Sequence, residues 1–428
     1  MPTDSASAGD SASDGNNSPS LSPLPPRSRQ QAFADELNSL IDVVEAAPLL
    51  DLLMQRAFEL SATDVHFDPR QDGLAIRIRL DGVIHDVTTL PQQMAPHVVS
   101  RLKLMSGMNI TERRLVQDGR ITGGSLRNDR DVRVCSGPTI YGERVVLRLM
   151  PHGSQFSSLE GLGLSDQQCA LVRKAVSLPH GMILSVGPVG TGKSTTTYSC
   201  LAELNQPGRS LISIEDPVER RVANVNQIQI DPKIGFGFTE ALRGALRQDP
   251  DVIMIGEIRD AETAHIAVRA GLTGIRVVST LHASDTGAAI DLFREFQIPQ
   301  MFIADSINCL IAQRLLRRVC LHDHESYSPD AADCELLHIS PADRESVHLM
   351  RGIPSAANFH SGYFGRTGVF EVMYFTDEIR EIVSSGKGGR AALEAARSHG
   401  METLEDCAVR KVLAGTTTTD EMVRVLWS

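Results

Sequence analysis

Eight residues constrain this chain more than any others: "GPVGTGKS", Gly187 to Ser194. The pattern G-x-x-x-x-G-K-[ST] follows an apolar strand-like run at 182–186 and opens a helix, the setting in which it carries meaning. The glycines let backbone N–H groups close on phosphate oxygens, and the helix N-terminus adds its positive end. Lys193 reaches the β- and γ-phosphates, and the Ser194 hydroxyl can ligate Mg2+. Gly187, Pro188, Val189, Gly190, Thr191, Gly192, Lys193, Ser194 and Thr195 are therefore the expected nucleotide-binding residues, with ATP and Mg2+ as ligands.

Further apolar strands at 211–214, 252–255 and 277–280, with helices between them, predict an α/β domain whose parallel sheet is covered on both faces. Open sheets of this kind bind ligands at the carboxyl ends of their strands. There "LISIEDPVE" ends in Glu215 and Asp216, and "DPDVIMIGEIRD" puts Gly256 where a strand-end aspartate for magnesium usually stands, with Glu257 next. Two acids beside one phosphate loop suit one Mg2+ and one polarised water. Glu257 reads as the group that activates the water, and Glu215 as magnesium or water positioner. The metal set is then Ser194, Glu215 and Glu257. "TEALRGALRQDPD" spaces Arg243 and Arg247 four apart, on one helix face, and "STLHASD" sets His282 after a strand, where it can sense the γ-phosphate.

Upstream, residues 1–30 carry eight Ser and five Pro, with Met1, Leu21 and Leu24 as their large apolar side chains. Such a segment cannot offset its ordering entropy, so 1–40 is expected to be a disordered tail. Pro48 suits the first turn of a helix carrying Leu49, Leu53, Ala57 and Leu60. Alternation in "GLAIRIRLDGVIHDV", broken at Asp81-Gly82, predicts a hairpin. Residues 41–150 read as a smaller α+β domain in which Arg113, Arg114, Arg120 and Arg133 cluster among turns. Residues 151–164 read as a linker, and 165–428 as the phosphate-loop domain.

At 428 residues and 42% apolar composition the chain can bury two or three cores. It has no run of about 18 uncharged apolar residues and no basic, apolar N-terminal leader, which predicts a cytoplasmic chain. Its seven scattered cysteines read as reduced thiols. A net charge of −11 and 4% aromatic residues weigh against a nucleic-acid translocase, which needs basic grooves and stacking platforms. A nucleotide-gated adaptor that binds ATP without turnover is the other alternative, and the acids and arginines weigh against it.

These motifs, with "ATDVHFDP", "LDGVI", "RLVQDGRI", "GERVVLRL", "AQRLLRR" and "GYFGRTGVFEV", resemble the secretion and type IV pilus assembly ATPases over about residues 45–428. The resemblance implies a RecA-like domain preceded by a PAS-like α+β domain and followed by a small C-terminal helical region. It also implies a homohexamer, cytoplasmic but peripheral to the inner membrane. There it would drive a platform protein, and through it pilin-like subunits, with no nucleic acid. Nucleotide would lie between the two domains, making Arg120 and Arg133 candidates to reach the phosphates, with Arg243 and Arg247 at a subunit boundary. Retraction motors lack "QDGR" and "GYFGR", so the resemblance favours the assembly and secretion side. A 40-residue tail is expected to leave no room for the long upstream domain that many members use for docking. Ile275 also stands where the family commonly has a histidine.

The family carries two C-x-x-C pairs after "AQRLLRR", a four-cysteine zinc site. On that pattern Cys320 is the first ligand, but Asp323, Ser355 and Asn358 occupy the other three positions, so 318–365 is expected to be a degenerate metal subdomain without zinc. A rebuilt site from Cys320, His322, His324 and Cys334 would need an uncommon C-x-H-x-H spacing.

Overall fold

The structure, a computed structural model, describes residues 29–41, 46–122, 132–149 and 158–427. Residues 1–28 of the expected tail and 151–157 of the expected linker lie outside the described residues. Beyond them Leu159 and Leu162 are buried around a short 3-10 turn, Glu160–Leu162, so the rest of the linker is packed.

The first domain is built on β1 (Asp64–Arg70), β2 (Gly73–Leu80), β3 (Val83–Leu90), β4 (Gln117–Ile121), β5 (Val132–Thr139) and β6 (Gly142–Leu149). They form one antiparallel sheet in the order β3-β2-β1-β6-β5-β4. Asp81 and Gly82 join β2 to β3 with φ of 49° and 86°, the left-handed pair that a tight hairpin needs. Leu74, Ile76, Ile78 and Leu80 point into the core, together with Leu49, Leu53 and Ala57 of the helix Ala46–Glu59. The last third of the expected tail is ordered. Arg29–Ile41 is a helix, and its Phe33 and Leu37, four apart and therefore on one face, are fully buried in the same core. The Ser- and Pro-rich composition that argued for disorder ends before this apolar pair.

The second domain's sheet contains β7 (Gly181–Val186), β8 (Leu211–Glu215), β9 (Asn226–Gln229), β10 (Val252–Ile255), β11 (Arg276–Leu281) and β12 (Ile307–Val319). After the two-stranded pair β13 (His324–Tyr327) and β14 (Leu349–Gly352) comes the last strand, β15 (Tyr363–Tyr374). The order is β15-β12-β7-β11-β10-β8-β9, parallel except for β15. Helices cover both faces: Met182 and Leu184 pack to one side, Ile183 to the other. The four predicted strands are present. The expected helical C-terminal region is present as the helices Asp377–Ser384, Gly388–Ser398, Leu404–Leu413 and Thr419–Leu426. It follows the two longest strands among the described residues, β12, which holds "AQRLLRR", and β15, which holds all but the first residue of "GYFGRTGVFEV".

Candidate nucleotide site

The phosphate loop follows β7, with Gly187, Gly190 and Gly192 at φ of 154°, 80° and 89°. At Gly187 a Cβ would stand 2.7 Å from Thr191 Oγ1 and 2.8 Å from the Gln313 carbonyl oxygen, so the loop closes only around glycine. The helix Lys193–Leu204 starts at its end. The Lys193 ammonium donates to the Gly187 and Pro188 carbonyl oxygens, both at 2.8 Å. Burial pushes its pKa down to about 8, against the pull of Glu257 and with the repulsion of Arg314. A cation held at such a cost gains most from an incoming phosphate.

Residues that sequence reasoning left unassigned brace this loop. Gln313 on β12, 1% exposed, donates from Nε2 to the Thr191 carbonyl oxygen at 2.7 Å. Arg314 donates to the carbonyl oxygens of Gln313 and Ser284, at 2.9 and 2.8 Å, tying the loop to the segment after β11.

Glu257 sits just past β10, after Gly256. The Gly256 N–H donates to the Ile214 carbonyl oxygen at 2.7 Å, and a Cβ there would lie 3.2 Å from that oxygen. Close approach of β8 and β10 thus accounts for a glycine where an aspartate was looked for. The Glu257 carboxylate is held by Arg259, and His282 Nε2 lies 3.4 Å from it. Burial alone would raise its pKa; Arg259 and then His282 outweigh that and hold it below the usual glutamate range. Lys193, Glu257 and His282 are brought to one strand-end edge.

Glu215 is placed at the same edge but engaged inside the fold. Its Oε1 accepts from Ser213 Oγ at 2.6 Å and Gln227 Nε2 at 3.1 Å, and its Oε2 from the Tyr198 hydroxyl. The acid set against the Ser194 hydroxyl is instead Glu219, four residues on in the same "IEDPVE" stretch. Desolvation of its carboxyl, then the charge of Glu215, raises its pKa; Arg133, Ser194 and Arg148 pull the other way.

Arg133 therefore reaches the cleft from the first domain. Burial lowers its pKa, while Glu219 and Asp216 of the second domain support its charge. The strand registers place Arg120 opposite Arg133, Arg133 opposite Arg148, Arg148 opposite Asp64 and Asp64 opposite Arg79. Like charges in register are destabilising by up to about 1 kcal/mol a pair, so three arginines in a row mark a face shaped for anions. Arg113 and Arg114 are exposed and outside this row.

The expected pairing of Arg243 with Arg247 on one helix face is corrected. The helix Phe238–Ala245 ends before Arg247, and Arg243 pairs with Glu262 at 2.8 Å on the exposed surface. In the 318–365 segment, Cys320 is buried, His324 Nδ1 lies 3.1 Å from the Cys320 carbonyl oxygen, and Cys334 is half-buried on the helix Ala331–Leu336. Among the described residues no three His, Cys, Asp or Glu side chains are grouped to hold a metal ion.

The family model described as "Type II/IV secretion system protein" matches residues 41–424. The chain belongs to that family. It is 38% identical to the type IV pilus assembly ATPase PilB of Thermus thermophilus over 91% of its own length and 44% of that relative. It is 37% identical to the type II secretion system protein E of Xanthomonas campestris, over 91% of its length and 70% of the relative. The fold is similar to the Legionella pneumophila ATPase DotB, with a TM-score of 0.64 at 19% identity, covering 87% of this chain and 94% of that one. It is also similar to the pilus retraction motor PilT solved with ADP, with a TM-score of 0.56 at 24% identity, covering 88% and 99%. The RecA-like fold is thereby shown. Among the described residues no helix is long and apolar enough to cross a membrane.

Proposed function

We propose that the chain is a hexameric ATP-hydrolysing motor that powers type II protein secretion or type IV pilus assembly at the inner membrane, through a platform protein. The observation that carries the reading is the meeting of Lys193, Ser194, Glu257 and His282 at one sheet edge with Arg133 from the other domain. Lys193 and the loop N–H groups take the phosphates. Glu257, kept ionised by Arg259, orients and polarises the attacking water. His282, beside Glu257, registers loss of the γ-phosphate. Arg133, with Arg120 next to it in register, stabilises charge on the transferring phosphoryl group. Mg2+ enters with ATP, and the hard oxygens of Ser194, Glu219 and Glu257 suit it. Glu215 holds the β8 end through Tyr198. Contacts made and lost at Arg133 would turn one domain against the other, a rigid-body stroke passed round a ring.

Purified protein given Mg-ATP should release phosphate, and Lys193→Ala should lower kcat/KM by roughly a hundredfold or more. Absence of hydrolysis in the wild type, or hydrolysis indifferent to Lys193→Ala, contradicts the reading. Light scattering with nucleotide should find six copies.

A further inference from the structure

The four positions set against the family's zinc ligands are joined, but by hydrogen bonds. Ser355 Oγ donates to Asp323 Oδ2 at 2.5 Å. Asn358, 1% exposed, accepts at Oδ1 from the backbone N–H groups of Ser355 and Gly362, at 2.9 and 3.0 Å. Its Nδ2 donates to the Ile353 carbonyl oxygen at 2.8 Å. The Cys320 N–H donates to the Gly362 carbonyl oxygen at 3.0 Å, and the Ile353 N–H to that of Asp323 at 2.9 Å. One thiol, one carboxylate already engaged, a hydroxyl and an amide do not fit a structural zinc, which takes four thiolate or imidazole ligands. The Ser355–Asp323 bond and the two backbone bonds join the same two chain segments that a metal would, and Asn358 braces the second of them from within.

The backbone shows what this cluster supports. Immediately after Asn358 come two successive non-glycine residues in the left-handed region, Phe359 at φ 53° and His360 at φ 55°. Such residues persist where the surroundings over-determine them. Here the His360 N–H donates to the Ser355 carbonyl oxygen at 2.8 Å, and Ser361 Oγ to that of Asn358 at 2.6 Å. The turn aims Phe359 out of its own domain. Its side chain, 5% exposed, joins the first domain's core, with its ring centroid 5.5 Å from that of His85 on β3. Next to it Asp81, at the β2–β3 tip, accepts from the Gly365 N–H at 2.7 Å and faces Arg366 at 3.6 Å.

We propose that the Asp323–Ser355–Asn358 cluster is a metal-free replacement for a zinc knuckle, and that it fixes Phe359 as a pin joining the second domain to the first. The proposal concerns assembly of the two domains and stands independently of ATP turnover.

Full-length protein, washed with chelator, should contain far less than one zinc per chain and keep its Tm. Near-stoichiometric zinc whose removal lowers the Tm overturns the replacement. Phe359→Ala should split the calorimetric unfolding transition or move part of it to lower temperature, and an unchanged profile overturns the pin. Asp323→Cys, Ser355→Cys and Asn358→Cys combined, with the native Cys320, should rebuild the site. That variant is expected to take up one Co2+ per chain with the absorption of tetrahedral thiolate ligation. A folded triple variant that binds no cobalt overturns the convergence. Should it fail to fold, the chelation and Phe359→Ala arms decide.

Discussion

The ends of β8 and β10 carry glutamates at the same edge of the same sheet, yet their surroundings differ in kind. Glu215 is nearly buried and accepts from three neutral donors of the fold: Tyr198, Ser213 and Gln227. Glu257 is partly open and held by two groups that can carry positive charge, Arg259 and His282. Neutral donors saturate a carboxylate and tie it to the structure, whereas exchangeable cations keep one ionised and available. A strand-end acid is therefore assigned by its partners as well as by its position. By that criterion β8 closes on itself, and the cleft's second acid is Glu219, beside Ser194 and Arg133.

The largest effect that would sharpen this contrast is on stability. Glu215→Ala leaves Tyr198 and Ser213 without this acceptor and Gln227 with only the Arg220 carbonyl oxygen, and should cost about 2–4 kcal/mol, read as a lower midpoint in urea. Glu257→Ala, removing a half-open group, should change that midpoint far less; equal losses would break the comparison. Tyr198→Phe removes one donor and should cost about 1–2 kcal/mol by the same measurement. The smallest effect is on pH dependence. Arg259→Ala removes the main cation that depresses the Glu257 carboxyl, so that carboxyl's pKa rises. The acid limb of turnover should then move to higher pH, and an unmoved limb would mean that Arg259 does not tune Glu257.

Much of this site was legible because its signals are local. The phosphate loop, Glu257 and His282 each follow a short apolar strand, and a parallel sheet must bring such ends together. The strands β12 and β15 were not legible, since the run from Ile307 to Ala312 is buried on both faces and lacks alternation, and the arginines after it suggest a helix. Glu219 was hidden for another reason: a turn through Pro217 carries it to Ser194, and spacing alone does not show where a turn points. The row from Arg120 to Arg148 depends on register between β4, β5 and β6, a long-range property. The helix Arg29–Ile41 was masked by the composition of the residues before it.

The most direct test compares ATP turnover of Glu257→Gln with that of Glu215→Gln, each scaled to the fraction of folded protein. Glu257→Gln should keep its thermal midpoint and lose turnover by about a hundredfold or more. Glu215→Gln should turn over at a rate near wild type per folded molecule, with a lowered midpoint. A stable Glu215→Gln that no longer hydrolyses ATP, beside an active Glu257→Gln, would contradict this assignment.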